Sequence, residues 1–317
     1  MIKIFYRRGA EIALCQSETE FATISKENVL WIDLLQPTGE QKRAVEAFLG
    51  TETQSRAEAE EIESSSRFYE EAGAIFTNTN FLSPADDEMV MDPVSFILTQ
   101  GILTTIREVP LRSFNTLQMK MQALPDQYPD GFTIFVDIMD KRVDLDADIV
   151  ELLSKDVSQF SKRINQKEDI NEEFLLDINQ LQENTMTVRE NIVDKQRLIS
   201  NILKSKFGPR DPELRSDLNI ILQDIASLIN HTNFAFERLE YLQDTVLGII
   251  NLDQNNIMKT FTFISLLLMP ATLVASFYGM NVTLPFADKW WAWVAISALM
   301  ALLIVGIWYI FKRKRML

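Results

Sequence analysis

Two apolar runs constrain this chain more than any other feature. Ile257–Phe277 is 21 residues long with one charge, Lys259, near its start, and Trp290–Phe311 carries no charge until Lys312. At about 1.5 Å per residue, each helix is long enough to cross a hydrocarbon core about 30 Å thick. A buried soluble helix hairpin is the alternative, and two nearly uncharged runs of this length argue against it. Only Gly279–Lys289 separates them, too short for a domain, so the runs form a hairpin. Trp290, Trp291 and Trp293 mark one membrane interface, and Trp308 and Tyr309 the other. Lys312-Arg313-Lys314-Arg315 follows the second run and Lys259 opens the first, which places both termini in the cytoplasm and Gly279–Lys289 outside. The N-terminal Met1–Gly9 contains no apolar stretch of signal-peptide length.

The preceding 255 or so residues read as soluble protein. The 317-residue chain has a net charge of -14, which repels nucleic acid and concentrates cations, although acidic surfaces also serve solubility. One cysteine, Cys15, and one histidine, His231, exclude an intrachain disulfide framework and a His/Cys zinc site within one subunit. Any metal chemistry rests on oxygen ligands, which suit hard cations.

Along the chain, strands are expected at Ile2–Arg7, Val29–Leu34, Ala74–Phe81, Val94–Leu98 and Leu103–Arg107, with helices at about 39–49 and 56–64. Ser83–Asp92, with Pro84 and four acids, reads as a loop. Residues 1–125 are therefore expected to form a mixed sheet with helices packed on it. Residues 126–256 form a long-helix region: Ile134–Gln166 and Ile170–Lys206 contain no Gly or Pro, and Gly208-Pro209-Arg210-Asp211-Pro212 interrupts them. Asp211-Pro212-Glu213 offers an N-cap, a proline at the first helical position and a first-turn acid. Beyond it, Leu214, Leu218, Ile221, Ile225, Leu228, Thr232, Ala235, Leu239, Leu242, Val246 and Ile249 hold a heptad seam. That seam fits one face of a bundle within the subunit or contact between copies. No proline occurs from Glu213 to Met269, so one helix can continue into the first apolar run. The fold class is α+β with a long helical stalk, followed by an all-α two-span hairpin.

The first span (257–277) carries a weakly polar stripe: Thr262, Ser265, Met269, Thr272 and Ser276 recur at three, four, three and four residues, and Met258, Asn255, Asn251 and Asp244 extend it backward. Small hydroxyl residues favour close helix packing in membranes, and the same pattern lines water-filled pores. Pro270 removes a backbone donor within this span.

Tyr278-Gly279-Met280-Asn281 follows directly. A Gly-Met-Asn tripeptide at the outer end of the first of two C-terminal spans resembles the CorA family of magnesium and cobalt channels. Asn255–Lys259, Met269–Ser276, Trp31-Ile32-Asp33-Leu34, Glu60–Phe68 and the basic tail (312–317) are similar to the family as well. The resemblance implies a homopentamer in the inner membrane whose first spans line the pore, with the second (290–311) outside them. In that frame Gly279, Met280 and Asn281, at the start of the extracytoplasmic loop 278–289, form the selectivity filter. Asp244, Asn255, Met258, Phe261, Ser265, Met269 and Thr272 line the pore. Asp224 matches a family acid that senses regulatory Mg²⁺. The implied function is import of Mg²⁺, with Co²⁺ and Ni²⁺ as further cargo, gated by cytosolic Mg²⁺. The loop departs from the family: typical members continue Met-Pro-Glu-Leu, whereas this chain reads Val282–Lys289 with Asp288 as its one acid. A Zn²⁺-preferring relative and a membrane-tethered scaffold without transport are the alternatives. No nucleophile–base pair, phosphate loop or cofactor fingerprint suggests an enzyme.

Overall fold

The computed structural model describes residues 1–17, 21, 23–54, 58, 67–85, 88–166, 170–280 and 289–313. Two compact units emerge. The first is Met1–Glu168 with Glu172–Leu242; the second is Gln243–Leu317 with Asp169–Asn171.

In the first unit, β1 (Ile2–Arg8), β2 (Glu11–Cys15), β3 (Val29–Leu35), β4 (Phe68–Glu71), β5 (Ala74–Ala85), β6 (Glu88–Thr99) and β7 (Ile102–Arg107) form one sheet ordered β2-β1-β3-β7-β6-β5-β4. Only β3 and β7 pair in parallel. Period-two alternation sends Ile4, Ile32, Ile97 and Phe76 to one face, where they form a core with Val45 and Leu49 of α1 (Gly39–Leu49). The Thr38 side chain and Gln41 close a capping box at the start of α1. The other face carries Phe5, Trp31, Phe81 and Phe96, against α2 (Arg112–Ala123), α3 (Gly131–Gln166) and α4 (Glu172–Lys204). Trp31 meets Phe114 of α2 at 5.6 Å, and Phe96 meets Phe135 of α3 edge-on at 5.4 Å.

Helix α3 starts where it does because Gly131 has no side chain. A Cβ there would lie 2.3 Å from the Leu103 nitrogen, and the Gly131 amide instead donates to the Gly101 carbonyl. Between α4 and α5 (Pro212–Tyr278), the Glu213 amide donates to Asp211 Oδ1 at 2.9 Å, the expected N-cap. Helix α5 continues unbroken for 67 residues. Its seam residues Leu218, Ile221, Ile225, Thr232, Ala235, Leu239, Leu242 and Val246 are buried within the chain.

Several expectations change. Ser83–Asp92 is not a loop: β5 reaches Ala85 and β6 starts at Glu88, pairing Leu82 with Met91 and Ser83 with Val90. Backbone ladders need no apolar side chains, so a solvated hairpin holds polar residues as strand. β2, β4 and α2 were not anticipated. β2 pairs as a hairpin with β1 through Gly9, whose φ of 64° suits the turn. The helix expected over 56–64 lies largely outside the described residues.

Two charged clusters sit inside this unit. Arg107 Nε and Nη2 grip Asp33 at 3.0 and 2.8 Å, while Thr105 and Gln118 donate to the same carboxylate. The Trp31 indole donates to Thr105, so the Trp-Ile-Asp-Leu segment is a buried structural lock. Elsewhere Lys195 of α4, fully buried, lies 3.0 Å from Asp146 of α3, which Arg142 also grips. The Lys195 ammonium also donates to Asn191. Burial pulls the lysine down to about 8, against the opposing pull of Asp146.

Candidate ion-conduction site

In the second unit, α5 and α6 (Ala292–Arg313) are both long and apolar enough to cross a membrane. Their packing fixes which side of α5 is covered. Phe263 meets Phe311 at 5.3 Å, and Phe263, Leu267, Pro270, Ala271 and Val274 are half-buried. At 3.6 residues per turn these five occupy an arc of about 100°. Asp244, Asn255, Met258, Phe261, Ser265, Met269, Thr272 and Gly279 occupy an arc of about 120° centred on the opposite side. All eight are exposed; Met258 and Met269 are 62% and 61% accessible. The second span thus leaves the polar stripe bare.

The stripe's two threonine hydroxyls are bound locally. Thr262 donates to the Met258 carbonyl at 2.8 Å and Thr272 to the Leu268 carbonyl at 3.0 Å. With the proton committed to the backbone, each oxygen retains acceptor capacity, the polarity a cation or its water shell requires. Pro270 cannot donate to the Leu266 carbonyl, yet α5 remains helical through it.

At the end of α5 the Gly279 amide donates to the Ala275 carbonyl at 2.9 Å, and the Met280 amide reaches Phe277 at 3.4 Å. A Cβ on Gly279 would stand 3.2 Å from the Ala275 carbonyl oxygen, so a side chain would press on the last helical turn. Met280 is exposed. Asn281 and Asp288, the expected filter carboxamide and outer-loop acid, lie outside the described residues. Asp224 is exposed on the part of α5 within the first unit, and Asp244 is exposed in the second. Among the described residues, no three His, Cys, Asp or Glu side chains cluster as a metal site. Sequence reasoning missed a cluster of cations on α4: Arg189, Arg197 and Lys204 line one cleft with Arg67. Their helical spacing was readable, but the strongly acidic total charge hid it.

The sheet unit, the long helix and the apolar hairpin define a two-span membrane protein with a large α+β portion outside the bilayer. Residues 26–313 match the family described as CorA-like Mg²⁺ transporter protein, and the chain belongs to that family. A protein named magnesium transport protein CorA from Wolinella succinogenes is 33% identical across 100% of both chains. The Escherichia coli K12 protein of the same name is 29% identical over 92% of each. The fold matches the complete CorA magnesium transporter from Methanocaldococcus jannaschii with a TM-score of 0.79, at 17% identity, covering 99% of this chain and 98% of that one.

Proposed function

We propose that this chain is one subunit of a homopentameric, non-enzymatic channel in the inner membrane that imports Mg²⁺ down its electrochemical gradient. One observation carries the reading: the second span covers one side of α5 and leaves the Thr/Ser/Met stripe on the other side bare. Copies of α5 gathered about an axis would turn that stripe inward, onto water. Membership of the CorA-like family and relatives named for magnesium transport support the choice of ion.

In this account both ends of the chain lie in the cytoplasm. The mixed-sheet domain (1–125) and long-helix region (126–256) stand on the inner side, and the loop 278–289 on the outer. Mg²⁺ surrenders its water shell reluctantly. A ring of Asn281 carboxamides, set by the close turn at Gly279 and Met280, hydrogen-bonds those waters without stripping them. Thr272, Ser265 and Asn255 supply acceptors farther in. Met258, Phe261 and Met269 narrow the lumen, where an apolar constriction closes by dewetting. The membrane potential drives entry with about 4.6 kcal/mol per 100 mV for a divalent ion. Asp244 rings the inner end of the pore. Cytosolic Mg²⁺ bridging Asp224 to an acid of a neighbouring subunit holds the closed state, and its loss releases like-charge repulsion.

Uptake into proteoliposomes tests this. Mg²⁺ enters through the native chain and uptake vanishes in Asn281→Ala; uptake unchanged by that substitution contradicts the pore. The outer loop's departure from Met-Pro-Glu-Leu makes Co²⁺, Ni²⁺ and Zn²⁺ the necessary comparisons, and faster Zn²⁺ than Mg²⁺ entry would move the cargo to the former. No uptake of any of the four leaves the tethered-scaffold reading.

A further inference from the structure

The first unit contains a cleft of about 680 Å³ between α4 and the segment at Arg67, open to solvent. Its charge runs against that of the chain. Arg67, Arg189, Arg197 and Lys204 line it, opposed by Glu190 and Asp194, in a protein of net charge -14. Two of the four cations are engaged: Arg67 pairs with Asp194 at 2.8 Å, and Arg189 donates to Asn233. Arg197 and Lys204 have no ion-pair partner among the described residues. They stand two turns apart on one face of α4, about 10 Å along the axis.

A solvated helix face explains one such cation, because Lys and Arg commonly extend into water. It does not explain four lining one concavity in a chain whose net charge is -14. A concave site focuses the field of its own charges, and guanidinium groups match phosphate oxygens in geometry. The volume lies within the range of small-ligand sites.

We propose that this cleft binds a polyphosphate anion, either free or carried on a nucleotide, with Arg197 and Lys204 as its principal contacts and Arg67 and Arg189 framing the site. Arg189 and Lys204 lie 15 residues apart on α4, about 22 Å along the axis, so a chain of phosphates meets more of the cleft's cations than a single phosphate does. The assignment stands apart from ion conduction, because binding is read without transport.

Calorimetric titration of the detergent-solubilised full chain tests it, with EDTA present so that the anion is not delivered as a metal chelate. The two ligands are inorganic triphosphate and adenosine triphosphate. Saturable binding of at least one is expected. Arg197→Ala combined with Lys204→Ala should weaken it at least tenfold, and Lys155→Ala, which alters a surface lysine paired with Glu151, should leave it unchanged. Equal affinity for the two ligands identifies the anion itself as the determinant; binding of the nucleotide alone identifies a nucleotide site. Absence of saturable binding of both, or binding indifferent to the double substitution in a chain whose circular dichroism matches the native one, overturns the proposal.

Discussion

Phe263 and Phe311 meet with ring centroids 5.3 Å apart and planes tilted by 58°, and this contact orients the first membrane-crossing stretch of α5. Once Phe263 faces α6, Thr272 and Met269 face away from it, since they lie on the far side of the helix. Within the hairpin, small hydroxyl residues therefore do not serve helix–helix packing, one of the two uses their spacing allowed. The remaining side is free to meet water or further copies of α5.

Truncating either ring loosens the hairpin without touching the stripe. Phe263→Ala should lower the resistance of the solubilised protein to unfolding, by about 1–3 kcal/mol by analogy with lost aromatic packing. Thr272→Val, which keeps the shape and removes the hydroxyl, should leave that resistance within about 0.5 kcal/mol and reduce uptake. Thermal melts beside proteoliposome flux separate the two effects.

The lock between Asp33 and Arg107 is almost wholly buried, with side-chain exposures of 1% and 2%. Asp33→Asn leaves an arginine charge without its carboxylate, a change that costs about 3–5 kcal/mol. Trp31 reports on it directly, because its indole donates to Thr105, which donates to Asp33. Denaturant titration followed by tryptophan fluorescence should show the midpoint falling sharply.

Lys195 titrates at about 8 in the folded unit, below its ordinary value of 10.5, because burial penalises its charge. Between these two pH values the unfolded chain holds a proton that the folded chain has released. Stability contributed at this site therefore rises with pH across that window and is flat below it. The gain is up to about 3 kcal/mol at full effect. Tyr128, raised by burial and by its bond to Asp137, acts in the opposite sense above pH 10. Comparison with Lys195→Met isolates the lysine: the native chain should gain on the variant between pH 8 and 10, and parallel curves would count against the assignment.

Much of this was legible beforehand, for identifiable reasons. The spans and the break before Pro212 are written in long runs and in proline and glycine, signals that tertiary contacts seldom override. The β5–β6 ribbon was not legible beyond Phe81, because Ser83, Asp92 and their neighbours carry loop chemistry while their backbones pair. Asp33 was visible only as part of a family-like tetrapeptide. Nothing local shows that Arg107, 74 residues away, completes it. The stripe was visible from spacing alone, but its orientation was not, since that depends on Phe311.

The central claim is that the Thr272 side of α5 faces water, and thiol accessibility tests it most directly. With Cys15 replaced by Ser, single substitutions Ser265→Cys, Thr272→Cys and Val274→Cys are treated in proteoliposomes with a membrane-impermeant cationic thiol reagent during Mg²⁺ uptake. Modification of the first two, with loss of flux, and protection of the third, which packs toward α6, are predicted. Reaction at Val274→Cys with Ser265→Cys and Thr272→Cys inert would place the stripe in lipid and contradict the account.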